Sequence, residues 1–180
     1  MVATASKWVI DPLHSEIEFK VKHLMISTVT GRFSEFTAKV DSENADFSDA
    51  SITFSANVAS INTGNEQRDG HLKSSDFFSA EQFPTLDFAS TSFKKYEDGY
   101  ALNGDLIIKG ITHPVVLHVE FSGIQIDPYG NTKAGFELTG KIKRKEFGLT
   151  WDAVTEAGGI VVSDDIKIAC NIQLVQQNAE

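Results

Sequence analysis

The chain has 180 residues, the length of one ordinary domain, and its 16 Lys and Arg against 25 Asp and Glu leave a formal net charge of −9. That balance, with a pI near 5.0, argues against nucleic acid as a partner and against stable docking on anionic membrane, because both need a broad cationic surplus. With 41% hydrophobic residues and only 4 prolines the chain has material for a packed core, and its one cysteine, Cys170, can neither close an internal disulfide nor anchor a cysteine-based zinc site.

Residues 1–7 (MVATASK) lack the charged and then apolar stretches of a secretory leader, and no window approaches the roughly 18 apolar residues of a membrane helix. The expectation is a soluble, cytoplasmic protein, or a periplasmic one if an export signal has been removed. Asp11-Pro12 and His14-Ser15 shape a lead-in turn. Ile17, Phe19, Val21 and His23 then alternate with Glu16, Glu18, Lys20 and Lys22, which puts an apolar row on one face of a strand and charges on the other. Residues 31–40 fit less cleanly, since Phe33 and Phe36 have opposite parity and predict a bulge. Ile52, Phe54, Ala56 and Val58 continue the period within a run over residues 50–62. At roughly 3.3 Å per residue that run reaches about 43 Å, or about 33 Å along a barrel whose strands tilt by about 40°.

Residues 65–80 break the pattern: Asn65 predicts a capped helical turn running to Leu72, with a second turn starting at Ser75-Asp76. Residues 85–93 form a further, less regular strand, and Glu97-Asp98-Gly99 a tight hairpin. Period two returns in Tyr100, Leu102, Leu106, Ile108 and in Val115, Leu117, Val119, Phe121. Asp127-Pro128-Tyr129-Gly130-Asn131 turns the chain into Phe136, Leu138, Ile142. Gly158-Gly159 sits in a longer connection before Ile166, Ile168, Cys170, Ile172 and Leu174. No repeat or linker interrupts residues 1–180, so one domain is expected.

The sum is about eight amphipathic antiparallel strands, an all-β chain. An open sheet would leave edges that template aggregation, so the apolar faces close on themselves. A sandwich is the alternative; short hairpins favour an up-and-down barrel whose interior can hold one small ligand. Thirteen of the 18 aromatic residues are Phe, which offers apolar surface without a polar atom demanding a buried partner. Such an interior either prefers hydrocarbon or is simply filled by its own rings.

Several segments carry a resemblance. Trp8-Val9-Ile10-Asp11-Pro12-Leu13-His14-Ser15 leads into Phe19-Lys20-Val21-Lys22-His23 and Gly31-Arg32-Phe33. Asn62-Thr63-Gly64-Asn65-Glu66-Gln67-Arg68-Asp69-Gly70-His71-Leu72 is followed by Asp76-Phe77-Phe78 and Phe83-Pro84. Gly104-Asp105-Leu106-Ile107-Ile108-Lys109-Gly110-Ile111-Thr112 and Lys143-Arg144-Lys145-Glu146-Phe147-Gly148 complete the set. In order and spacing the chain resembles the YceI-like family of bacterial lipid-binding proteins. The resemblance implies an extended, eight-stranded antiparallel, lipocalin-like barrel with a short helical insertion near residues 65–80, holding a polyisoprenoid or similar long amphiphile. Many members are periplasmic and carry an export signal, which this chain lacks as written.

The expected ligand-binding residues follow. Ile17, Phe19, Val21, Phe33, Phe54 and Phe88 line the lumen, with His23 on the same face, and Leu72, Phe77 and Phe78 flank the mouth. Arg68 and His71 meet a head group, Arg68 being suited to bidentate contact with phosphate. The alternative for Arg68, Asp69 and His71 is local stapling of the turn. Trp8 and Trp151 either brace the barrel or touch ligand, and Arg144 faces solvent or pairs with a nearby acid. Cys170 reads as an inert buried thiol. His113 and His118 have opposite parity and cannot share a metal on one face, so neither metal nor cofactor is expected. No nucleophile elbow, HExxH or P-loop motif is present; an enzyme using Asp69 and His71, or a packed structural or stress-response barrel, are the competing readings. A homodimer through a strand edge or the long loops is compatible with the sequence.

Overall fold

The computed structural model describes residues 6–152 and 161–177. Its sheet contains β1 (Ser6–Ile10), β2 (Glu16–His23), β3 (Ser27–Phe33), β4 (Phe36–Ser42), β5 (Ser51–Asn57), β6 (Ile61–Asn62), β7 (Thr85–Tyr96), β8 (Gly99–Ile108), β9 (Ile111–Ile126), β10 (Thr132–Lys143) and β11 (Val162–Gln176). Every pairing is antiparallel, and β1 closes the ring by pairing with both β4 and β11.

These strands make eight staves. β1 and β2 lie end to end beside β11, and β3 and β4 lie end to end beside them. β5 and β6 extend the next stave, and β7 to β11 supply one each. The all-β, eight-stranded antiparallel barrel expected from the sequence is therefore the observed fold. The parity change at Phe33 and Phe36 marks a break at Ser34-Glu35 between β3 and β4.

Two expectations need correction. The run over residues 50–62 is not one strand: the Asn57 side chain accepts from the Ala59 N–H and starts a 3-10 turn over Val58–Ser60. Local capping by an Asn side chain here outcompetes the ladder. The barrel owes its length instead to β9 and β11, 16 and 15 residues long. β1, too short to show a period, is a strand, and its Trp8 and Ile10 are buried. The turn after it is held by Asp11, whose carboxylate accepts from the Leu13 N–H. The Gly158-Gly159 connection lies outside the described residues.

The helical insertion is α1 (Glu66–Lys73), with Asn65 as its N-cap accepting from the Arg68 N–H at 3.0 Å. It follows β6, which pairs with β3, so α1 sits at the end of the barrel where the β2–β3 hairpin turns. At the opposite end Phe47, from the β4–β5 loop, plugs the bore. Its ring lies 5.1 Å from Trp8, 5.5 Å from Phe121 and 5.1 Å from Phe136. No helix among the described residues is long and apolar enough to cross a membrane.

Candidate functional site

The inward faces enclose a cavity of about 440 Å³, within the range of small-molecule sites. Its walls are only half-buried at Ile17, Phe19, Val21, Ile52, Phe54, Leu138, Ile142, Ile168 and Ile172, although all point away from bulk solvent. Inward-facing apolar side chains keep accessible surface in a closed barrel when the middle is hollow.

Two glycines show how a bore lined by phenylalanine stays open. Gly31 faces inward directly opposite Phe19, and a Cβ on it would fall 2.3 Å from Phe19 Cζ. A Cβ on Gly104 would likewise fall 2.3 Å from Phe88 Cζ. Each ring lies flat over the backbone of a residue without a side chain, along the wall instead of across the lumen. Close approach of this kind is what glycine in a strand interior permits, at some cost in strand stability.

All twelve residues singled out from the sequence border this cavity. Ile17, Phe19, Val21, Phe33, Phe54 and Phe88 form its wall. His23 is exposed at the rim, where it pairs with Ser27 and Val162. Leu72, Phe77 and Phe78 come from the end of α1 and the turn after it. That turn folds back because the Phe78 N–H donates to the Leu72 carbonyl and the Ala80 N–H to the Lys73 carbonyl. Phe78 meets Phe33 edge-on, and Phe77 packs on His71 and Trp151.

At the mouth, Arg68 and His71 both border the cavity, but each also has a local anchor. Arg68 donates through Nε to the Thr63 hydroxyl and through Nη2 to the Thr63 carbonyl, both at 2.7 Å. His71 Nε2 lies 2.9 Å from the Asp76 carboxylate, and its ring is edge-on to Trp151 at 4.8 Å. Asp69 is buried and accepts from the Thr63 N–H and hydroxyl. It is therefore engaged with the β6–α1 loop, and the carboxylate beside His71 is that of Asp76.

Two contributors, Arg144 and Phe47, were not legible from the sequence in the role the structure gives them. Arg144 does not face solvent: it is 2% exposed, donates to the carbonyls of Leu149, Trp151, Val162 and Ser163, and also pairs with an acid, as the other expectation for it had it. Asp152 stands 3.9 Å away. Burial lowers the guanidinium's affinity for its proton, while Asp152 and Asp164 oppose that. This one side chain ties the loop after β10 to the start of β11 and so sets Trp151 against the mouth. Phe47, which closes the far end, was signalled only by being a lone aromatic in the polar run over residues 41–49. Trp151 borders the cavity as well as bracing α1. Cys170 also borders it, and burial pushes its thiol up to about 11. Among the described residues, no group of three His, Cys, Asp or Glu is placed to hold a metal ion.

Comparison with known proteins agrees with this architecture. A UPF0312 protein of Staphylococcus aureus strain USA300 is 37% identical over 169 residues, 93% of this chain and 96% of that one. The YCEI protein of Campylobacter jejuni superposes with a TM-score of 0.74 at 32% identity, covering 87% of this chain and 90% of its own. A polyisoprenoid binding domain from Saccharophagus degradans shares the fold at a TM-score of 0.68 and 14% identity, over 94% of this chain and 98% of that domain. Residues 8–174 match the YceI-like domain from the first strand to the last, and the chain belongs to that family.

Proposed function

We propose that the protein takes up a long-chain amphiphile, a polyisoprenoid such as a prenyl pyrophosphate or a quinone, and holds its tail in the barrel for transport, storage or sequestration. The observation that carries this reading is the bore: aliphatic and phenylalanine walls around about 440 Å³, closed at one end by Phe47 and carrying Arg68, His71 and Arg144 at the other. A packed structural barrel has no use for such a space. The name of the Saccharophagus degradans domain supports the ligand class.

Affinity comes from the tail. Ten enclosed methylenes at ~0.8 kcal/mol each contribute about 8 kcal/mol, from which immobilising a flexible chain subtracts several. The head group stays at the mouth, where Arg68, its Nε and Nη2 held by Thr63, sets a fixed positive charge for an anionic group. The engagement of Asp69 with Thr63 argues against an acid–base pair of Asp69 with His71, and the likeness to binding proteins favours binding over catalysis. Neither metal nor cofactor enters the reading.

Organic extraction of the purified protein followed by mass spectrometry tests it. A long apolar amphiphile should be released in near-stoichiometric amount, and the stripped protein should rebind prenyl alcohols. A clean extract together with no uptake across a series of prenyl chain lengths would end the proposal.

A further inference from the structure

The β2–β3 hairpin turns through His23, Leu24, Met25 and Ile26, with the Ile26 N–H donating to the His23 carbonyl at 3.2 Å. Both central residues take positive φ, 52° at Leu24 and 59° at Met25. A turn of this hand strongly favours Asn-Gly, and large unbranched or γ-branched side chains occupy it at a cost in stability. Nor does burial offset that cost: Leu24, Met25 and Ile26 are 39%, 59% and 83% exposed. Three consecutive apolar side chains are thus held out into solvent, two of them, Leu24 and Met25, in a conformation their chemistry opposes.

The surroundings of this tip are equally specific. Residues 19–30 contain Lys20 and Lys22 and no Asp or Glu, in a chain of net charge −9; Arg32, further along β3, pairs with Glu18 at 3.8 Å. The acids on the neighbouring β11, Asp164 and Asp165, are engaged by the Lys145 N–H and by Lys141 and Lys143. Behind the tip, Val21, Lys22, His23 and Val29 border the cavity, so the apolar tip is continuous with the mouth. An apolar point inside a cationic collar matches the layers of an anionic bilayer, hydrocarbon beneath negative head groups.

We infer that Leu24, Met25 and Ile26 dip into an anionic lipid bilayer, with Lys20 and Lys22 on its head groups, and so bring the cavity mouth to the surface from which an apolar ligand is loaded or delivered. The inference rests on the proposed lipid binding for its purpose but not for its test. Docking is weak and reversible. The collar acts within a Debye length of about 8 Å at physiological salt, beyond which the molecule's net negative charge is screened from the membrane.

The test is the double variant Leu24→Asn, Met25→Gly, which gives the turn its preferred residues and should raise thermal stability while removing the apolar point. Flotation of the intact chain with phosphatidylcholine vesicles containing phosphatidylserine should show salt-sensitive binding. The double variant should reduce it at least tenfold, and Lys20→Gln and Lys22→Gln about fivefold each. Uptake of a prenyl alcohol from ethanol solution should stay unchanged in the double variant, while transfer between vesicles slows. Equal vesicle binding by the original and variant chains overturns the inference, as does a tip-dependent dimer in place of vesicle binding. If the original chain takes up the prenyl alcohol but floats with no vesicle, the docking surface is refuted and the lipid carrier stands. If it floats but takes up no prenyl chain, the carrier is refuted and the docking surface stands.

Discussion

Replacing Gly31 with Ala should narrow the bore and leave the fold intact. The new Cβ would lie 2.3 Å from Phe19 Cζ and 2.8 Å from Cε1 and Cε2. Carbon atoms pack at about 3.5–4.0 Å, so the ring must withdraw by more than about 1 Å, and the cavity is its open side. The backbone at Gly31 is outside the left-handed region, and Ala lowers the entropy of the unfolded chain, a gain of about 0.4–1 kcal/mol that offsets the disturbance. A ring swung off the wall takes the place of about three methylenes of a threaded tail. At ~0.8 kcal/mol each that removes ~2.4 kcal/mol, a loss of about 50-fold in affinity. Displacement of a fluorescent polyene fatty acid by prenyl alcohols of increasing length measures it, with thermal unfolding alongside. Adding Phe19→Leu to Gly31→Ala should restore most of the affinity, because the shorter side chain clears the new methyl. Undiminished affinity in Gly31→Ala, with the fold intact, would refute the reasoning that glycine holds the wall rings out of the lumen.

Arg144→Lys keeps the charge but cannot reach four carbonyls from one ammonium; urea denaturation should show a loss of about 2–4 kcal/mol, with Trp151 emission shifted to the red. A loss below about 0.5 kcal/mol would mean the clamp is dispensable. Asp49 is held below the usual carboxylate range by the Ser42 hydroxyl first and then the Glu43 N–H, and it fixes the loop that carries Phe47. A depressed carboxylate stabilises above its unfolded value, about 3.9, and that contribution fades as pH falls through the lower folded value. The melting temperatures of the native chain and Asp49→Asn should therefore differ at pH 7 and converge below about pH 4; a gap independent of pH would show that the ionised form of Asp49 contributes nothing.

Much of this protein was legible in its order of residues because a strand repeats every two. The alternation in residues 16–23, 100–108 and 166–174 fixed which side chains share a face, and closure followed from the need to remove edges. Asn65 announced α1 through the same local logic, a side-chain oxygen meeting a free N–H at a helix start. The wall residues were readable on that basis. What lay beyond it depended on contacts between segments far apart in sequence. Whether the phenylalanines fill the middle or line it turns on Gly104 lying beneath Phe88 and on Gly31 lying beneath Phe19, and periodicity carries no information about which residue stands opposite. Arg144 reads as a surface cation until the loop around Trp151 folds over it, and Phe47 as a stray aromatic until Trp8, Phe121 and Phe136 surround it. Parity sets the direction of each side chain, but only the register between strands sets its neighbours, and it is the neighbours that leave the barrel hollow.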